Sequence, residues 1–351
     1  MANEMKKQNH DALDLLKYIS AFLVVFTHVH AFHESLPIGV AVSRFTIPQF
    51  YMVSAYFFFR RVNQDADNPG WRKQCLWGFL RRVAKLYCCW LLVQAPLMYV
   101  FGGWYAFGYE AAGSAMRSAF LLIKNVLLSN TFPASWYLMA LMIGTAMVTY
   151  LDRWIGNTGL LMTGLFFFLI CCANSGYLNL VNHPIHLFYP PTSFLSSVLW
   201  LTVGKMIAEE HPVTQRFREL PHQKKILILL SAVGLFFAEY FLCLRKEWAG
   251  NTDAMLSLIP VCPMIFMTVL DAGRSIPYAR EMRAASTVIY CSHGMMLTLL
   301  SHLGAAAGIR LEVMPMAAGW YLLAILLCNL LAIGMMYFQK KDGFRWLSCF
   351  W

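Results

Sequence analysis

The sequence predicts an all-α protein, a polytopic bundle of about ten transmembrane helices with both termini cytoplasmic. Three observations carry that expectation. Of 351 residues, 59% are hydrophobic and 13% charged, with a mean hydropathy of +0.53. A soluble domain carries about 45–50% apolar and about 25% charged residues, so this chain lacks the polar side chains to cover a water-facing surface. The apolar residues fall in continuous runs near the ~20 residues that cross a bilayer as a helix, unlike the short alternating segments of a β-barrel. The basic residues, finally, are shared unevenly between the connections. The same composition excludes disorder, collagen-like structure and a secreted disulfide scaffold.

The ten apolar segments are 13–31, 45–59, 75–101, 134–151, 158–174, 191–208, 224–244, 254–271, 284–303 and 318–338. Residues 1–12 read as a cytoplasmic N-terminal tail, 13–338 as one transmembrane domain and 339–351 as a cytoplasmic C-terminal tail. The tail carries Lys6 and Lys7, but the following run holds Lys17 and His28 and ends without an Ala-x-Ala site. It reads as an uncleaved first span rather than a signal peptide. The second segment is short, and Pro48 near its start points to a broken beginning. The stretch 115–128 carries Arg117 and Lys124 and reads as an interfacial amphipathic helix, not an eleventh span. The longest polar connections are Arg60–Gln74 and Glu209–Gln223, and the loop Asn174–Pro190 is uncharged.

With the N-terminus inside, 21 of the 28 Lys and Arg residues fall on the cytoplasmic side and six outside, with Lys17 within the first span. That bias sets the orientation and accounts for the net charge of +10 without nucleic acid as a partner. It makes the chain a multi-pass membrane protein, with the lipid bilayer as its first partner. None of the ten cysteines forms a Cys-x-x-Cys pair, and no metal is expected. His183 and His186 have no carboxylate or thiol neighbour to complete a metal site.

An ionisable side chain within a span costs about 2.5–3.5 kcal/mol on insertion scales, so it needs a partner or a purpose. Lys17 and His28 are eleven positions apart, three turns plus ~20°, and so share a helix face ~16 Å apart along the axis. Asp14 lies close to that stripe. A snorkelling lysine and a histidine bonded to a backbone carbonyl would explain the same residues. Arg81, Arg82 and Lys85 open the third span. They read singly as topological anchors, or together with Asp14 and Lys17 as a basic funnel suited to phosphates. Glu239, deep in the seventh span, needs a counter-ion or a proton. In the ninth, Tyr290 and His293 share a face at i, i+3 with Ser286 a turn earlier, and His302 lies further along.

These residues occur in an order that resembles the acyltransferase 3 family, bacterial membrane enzymes that move acyl groups, usually acetyl, onto extracytoplasmic sugars. Lys17 and His28 match its basic residue, ten positions and histidine, with Asp14 ahead of them. Ser54-Ala55-Tyr56 partly matches a Ser-Gly-Phe signature, and Arg82-Val-Ala-Lys85-Leu-Tyr87 matches an Arg-x-x-Arg pattern before Leu-Tyr. Ser135-Trp136-Tyr137-Leu138 and Ser286, Ile289, Tyr290 and His293 follow. Two departures stand out: Ala55 in place of glycine, and Lys85, which cannot fork onto a phosphate as arginine does. The esterase-like or racemase domains fused to some relatives are not expected, the chain ending thirteen residues after its last span.

The resemblance implies an O-acetyltransferase that takes acetyl-CoA from the cytoplasm and acylates a hydroxyl of a cell-surface glycan, its lipid-linked precursor or a small molecule. Polysaccharide modification in the cell envelope is the process implied. His28, Lys17 and Asp14 become the candidate catalytic residues and Arg81, Arg82 and Lys85 the candidate CoA site. Ser54, Trp136, Glu239, Tyr290 and His293 are further candidates. The alternative is a transporter or flippase of a small molecule with no CoA chemistry.

Overall fold

The computed structural model describes residues 10–100, 115–128, 130–182, 184–309 and 314–351. Lys6 and Lys7 of the N-terminal tail, His183 and Arg310 lie outside the described residues. Within them the chain is helical and contains no strand. The helices are α1 (Asp11–Thr27), α2 (Ala31–Ser35), α3 (Pro37–Ser43), α4 (Thr46–Val62), α5 (Pro69–Val100), α6 (Ala115–Leu128) and α7 (Ser135–Ala173). They continue with α8 (Leu178–Val181), α9 (Phe194–Ala208), α10 (Pro212–Arg218), α11 (His222–Arg245), α12 (Leu258–Asp271), α13 (Ala279–Ala306) and α14 (Met316–Phe338). Each of the ten apolar segments is helical over most of its length. Among the described residues, α7, α11 and α14 are long and apolar enough to cross a membrane. On α6 the exposed residues Met116, Phe120, Ile123 and Leu127 form one stripe at helical spacing.

Two helices depart from the expected segments. The first run does not continue to residue 31: α1 stops at Thr27 and His28 takes up a non-helical conformation, φ −91° and ψ 0°. The His33 ring donates from Nε2 to the Thr27 carbonyl at 2.9 Å, satisfying an acceptor that the helix end leaves free. The segments 134–151 and 158–174 belong to one element, α7, folded sharply at Gly156. There φ is +58° and ψ −173°, a conformation essentially restricted to glycine.

That fold in α7 makes a hairpin whose two arms flank α9. Ser197 bonds the Ala140 carbonyl of the first arm at 3.1 Å, and Trp200 meets Phe168 of the second arm at 5.1 Å between ring centroids. Close approach needs small residues, because helices in lipid associate by packing rather than by exclusion of water. A Cβ on Gly164 would sit 2.7 Å from the Leu199 backbone, and one on Gly204 2.8 Å from the Ala55 Cβ. The glycine missing at position 55 is therefore supplied from the facing helix.

The bundle has two polar ends. At one, Lys205 is 2% exposed and its Nζ reaches Asp152 at 2.8 Å and Glu209 and Asn157 at 2.7 Å. Arg72 adds a second cation to Asp152 at 2.5 Å, so α5, both arms of α7 and α9 meet in one ion-pair network. At the same end Arg283 forks onto Asp14 at 2.7 and 2.5 Å. α1 and α13 run side by side and parallel from that pair to the other end, where His28 faces His293.

Candidate active site

At the His28 end a cavity of about 140 Å³ opens between α1, α4, α7, α9, α12 and α13. His28 is exposed into it. The position follows from the early stop of α1, which turns the residue after Thr27 off the helix and toward the cavity. Trp136, Trp200 and Tyr290 supply aromatic wall, and Arg44 and Asp253 supply charge. Lys17 and Arg82 are not among its lining residues.

Behind His28 lies a second imidazole. His293 is fully buried, and the two ring centroids are 4.9 Å apart with planes at 35°. The His293 Nδ1 lies 2.6 Å from the Tyr290 carbonyl. A carbonyl only accepts, so Nδ1 is the donor and, in the neutral ring, Nε2 holds the lone pair. That Nε2 is buried with no hydrogen-bond partner among the described residues. An exposed imidazole thus stands beside a buried one whose lone pair is unmatched, an arrangement able to accept a proton from a hydroxyl in the cavity.

The remaining candidates divide between the two ends of the bundle, with Glu239 apart from both. Tyr290 and Trp136 join His28 at the cavity, while Ser54 reaches this group only through Tyr137, whose ring meets that of Tyr290. The Tyr290 hydroxyl donates to the Ala134 carbonyl at 3.3 Å, and Ser54 lies 3.4 Å from the Tyr137 hydroxyl. The Trp136 amide donates to the Asn130 side chain at 3.3 Å. Ala134 sits in the left-handed region at φ +69°, a strain of about 1–3 kcal/mol that fits Trp136 to the cavity wall.

Asp14, Lys17 and Arg82 gather at the opposite end. Asp14 is 1% exposed and committed to Arg283. Lys17 makes no hydrogen bond or ion pair among the described residues; the charges acting on it most are Asp14, Arg283 and Arg82 in that order. The guanidinium of Arg82 lies 5.6 Å from the Phe79 ring. The expected single funnel is divided: Arg81 and Arg82 are both exposed, but Arg82 is the one among the charges acting most on Lys17, and Lys85 sits beside Cys349 of the C-terminal segment. That segment is held on α5 by the Trp90 indole, which donates to the Phe350 carbonyl at 3.3 Å.

Glu239 belongs to neither group and needs no counter-ion. It accepts from the backbone of Leu256 at 2.8 Å and Ser257 at 2.7 Å, and from the Tyr177 hydroxyl. Its work is to hold the connection between α11 and α12. Sequence spacing could not show this, because the three donors come from distant stretches of the chain.

That connection carries the residue the sequence reading missed. Asp253 pairs with Arg44, which also donates from Nε to Thr252 at 3.0 Å. Tyr189 donates to the other Asp253 oxygen at 3.2 Å. Burial, and next the Asp253 carboxylate, push the Tyr189 phenol up, so it stays a donor. Among the charges around His28, Asp253 acts most strongly and Arg44 next. No sequence signal links two residues 209 positions apart.

A family profile described as an acyltransferase domain, acyltransferase 3, matches residues 10–333. An amino-acid racemase of Enterococcus faecalis is 23% identical over 309 residues, covering 84% of this chain and 42% of its own length. A serine/alanine racemase of Enterococcus gallinarum is 21% identical over 264 residues, 71% of this chain and 35% of its own. The chain thus spans about two-fifths or less of the length of these relatives. No solved structure matches.

Proposed function

The chain belongs to the acyltransferase 3 family, and from that membership of a membrane acyltransferase we propose that it carries acetyl from cytoplasmic acetyl-CoA to a hydroxyl of an extracytoplasmic glycan or its lipid-linked precursor. The proposed topology is ten spans in a bacterial cytoplasmic membrane, with the Lys205 end and both termini inside. The division of basic residues, 21 against six, supports it.

The observation that carries the reading is the exposed His28 imidazole at the cavity, backed by His293. His28 takes the proton of the acceptor hydroxyl as its oxygen bonds to the thioester carbonyl. The carbon–sulfur bond then breaks, and the proton ends on the CoA sulfur. Lys17 and Arg82 lie toward the cytoplasmic end, Lys17 ~16 Å from His28 along α1. They are the positive charges placed to pair with CoA phosphates while the acyl arm reaches inward. Asp14 acts through them, by fixing α1 on α13 with Arg283.

Purified protein in proteoliposomes with radiolabelled acetyl-CoA tests this. Binding and turnover of the thioester are expected. Absence of both would favour the transporter reading, in which a small molecule passes the cavity with no thioester consumed.

A further inference from the structure

The two partners of the ion pair at the cavity rim are unequally accessible. The Arg44 side chain is 10% exposed and that of Asp253 35%, so an incoming molecule meets a carboxylate backed by a guanidinium. The carboxylate is held in place. Its own amide donates to the Asn251 side chain at 3.0 Å, and Ser175 binds that side chain at 2.6 Å and accepts from Ala254 at 2.9 Å. A fixed carboxylate beside Trp136 and Trp200 is a surface for hydroxyl donors on a ring with apolar faces. Pockets fix orientation in this way, with a few placed polar groups in an aromatic wall.

Resting on the acetyltransferase reading, we propose that Asp253, oriented by Arg44 and Tyr189, positions the acceptor, and that the acceptor is an uncharged glycosyl unit rather than an acidic sugar. The carboxylate accepts hydrogen bonds from hydroxyls next to the reacting one, which then lies at His28. These bonds are charge-assisted and stronger than those of a neutral acceptor. A ligand carboxylate meets like charge at the same spot and is disfavoured. An apolar cavity of about 150 Å³ holds a molecule the size of benzene. The volume here, about 140 Å³, therefore admits the reacting edge of a sugar while the remainder of the acceptor stays in the mouth.

The test uses purified protein in proteoliposomes, labelled acetyl-CoA, and a panel of methyl hexosides with the matching methyl hexuronosides. Transfer to at least one hexoside is expected, with kcat/KM about 10-fold or more above that of its hexuronoside. Asp253→Asn raises KM for that hexoside about 10-fold and narrows the discrimination, while acetyl-CoA affinity stays as in the parent and certifies the fold. Asp253→Glu, which keeps the charge, restores part of the difference. Equal use of the hexuronoside, an unchanged KM in Asp253→Asn, or acetyl-CoA turnover with no hexoside accepted would each overturn the assignment. Failure of the underlying reading looks different, because the parent protein would then neither bind nor consume acetyl-CoA.

Discussion

Two polar clusters, one at each end of the bundle, each have a buried polar side chain at their centre, Lys205 in one and His293 in the other, and are built to opposite rules. Around Lys205, one ammonium is answered by two carboxylates and an amide oxygen, and Arg72 balances the remaining charge on Asp152. Around His28, one imidazole is exposed to a cavity and its neighbour keeps an unpartnered Nε2. The charges of the first cluster are all paired, although the Arg72 Nε finds no acceptor among the described residues, and each paired charge is costly to lose. A cluster with capacity to spare gives up some stability and is free to bind and react. Charges paired with one another at one end, and an imidazole open to a cavity at the other, separate scaffold from site.

The sharpest way to break that comparison is His28→Gln. Glutamine keeps a hydrogen-bonding side chain of similar volume but does not titrate near neutral pH. Loss of the base should lower the rate of acetyl transfer by about 10²–10⁴-fold, with expression and acetyl-CoA binding retained. His293→Gln is the companion variant in the same membrane assay. A near-normal rate in His28→Gln with a collapse in His293→Gln would move the base one ring deeper.

Lys205→Met should behave in the opposite manner. It leaves the half-buried Asp152 and Glu209 with one cation fewer, a destabilisation toward the lower end of about 3–5 kcal/mol, seen as a lower thermal midpoint in detergent. The protein that remains folded should keep its parent KM for acetyl-CoA. A variant as stable as the parent would show that the network is not the clamp its geometry describes.

A smaller effect separates the two halves of the divided basic cluster. Arg82→Glu should weaken acetyl-CoA binding by about 1.5–3 kcal/mol, the range for hydrogen bonds to charged groups. Lys85→Glu should leave it near the parent value, because that ammonium lies beside Cys349 rather than with Lys17. Isothermal titration of the two variants checks this, and equal losses would restore the single funnel.

The least effect is expected from Gly204→Ala, at the contact between α9 and α4. The new Cβ would stand 2.7 Å from the Met52 carbonyl and 2.8 Å from Ala55, an overpacking cost of about 1–3 kcal/mol. Ala55→Gly in the same chain should recover only part of the lost melting temperature, since the backbone contact remains. Full recovery would mean that the side chain alone set the spacing.

Hydropathy and helical spacing were enough to locate the helical segments, because both depend on residues close together in the chain. They also put Lys17 with His28 on one helix and Tyr290 with His293 on another, since a helix face repeats within a few residues. Order along the chain brought the family resemblance, which the match over residues 10–333 supports. Other features arose only when distant stretches met. The stop of α1 at Thr27 depends on a side chain six residues on, and the pairing of Asp14 with Arg283 on helices at opposite ends of the chain. Glu239 looked like a charge in need of a partner because its three donors lie at 177, 256 and 257. Arg44 and Asp253 carried no local pattern at all. A single chain position states what a side chain can donate or accept; which group answers it is decided by packing, and that is where the scaffold and the site of this protein part.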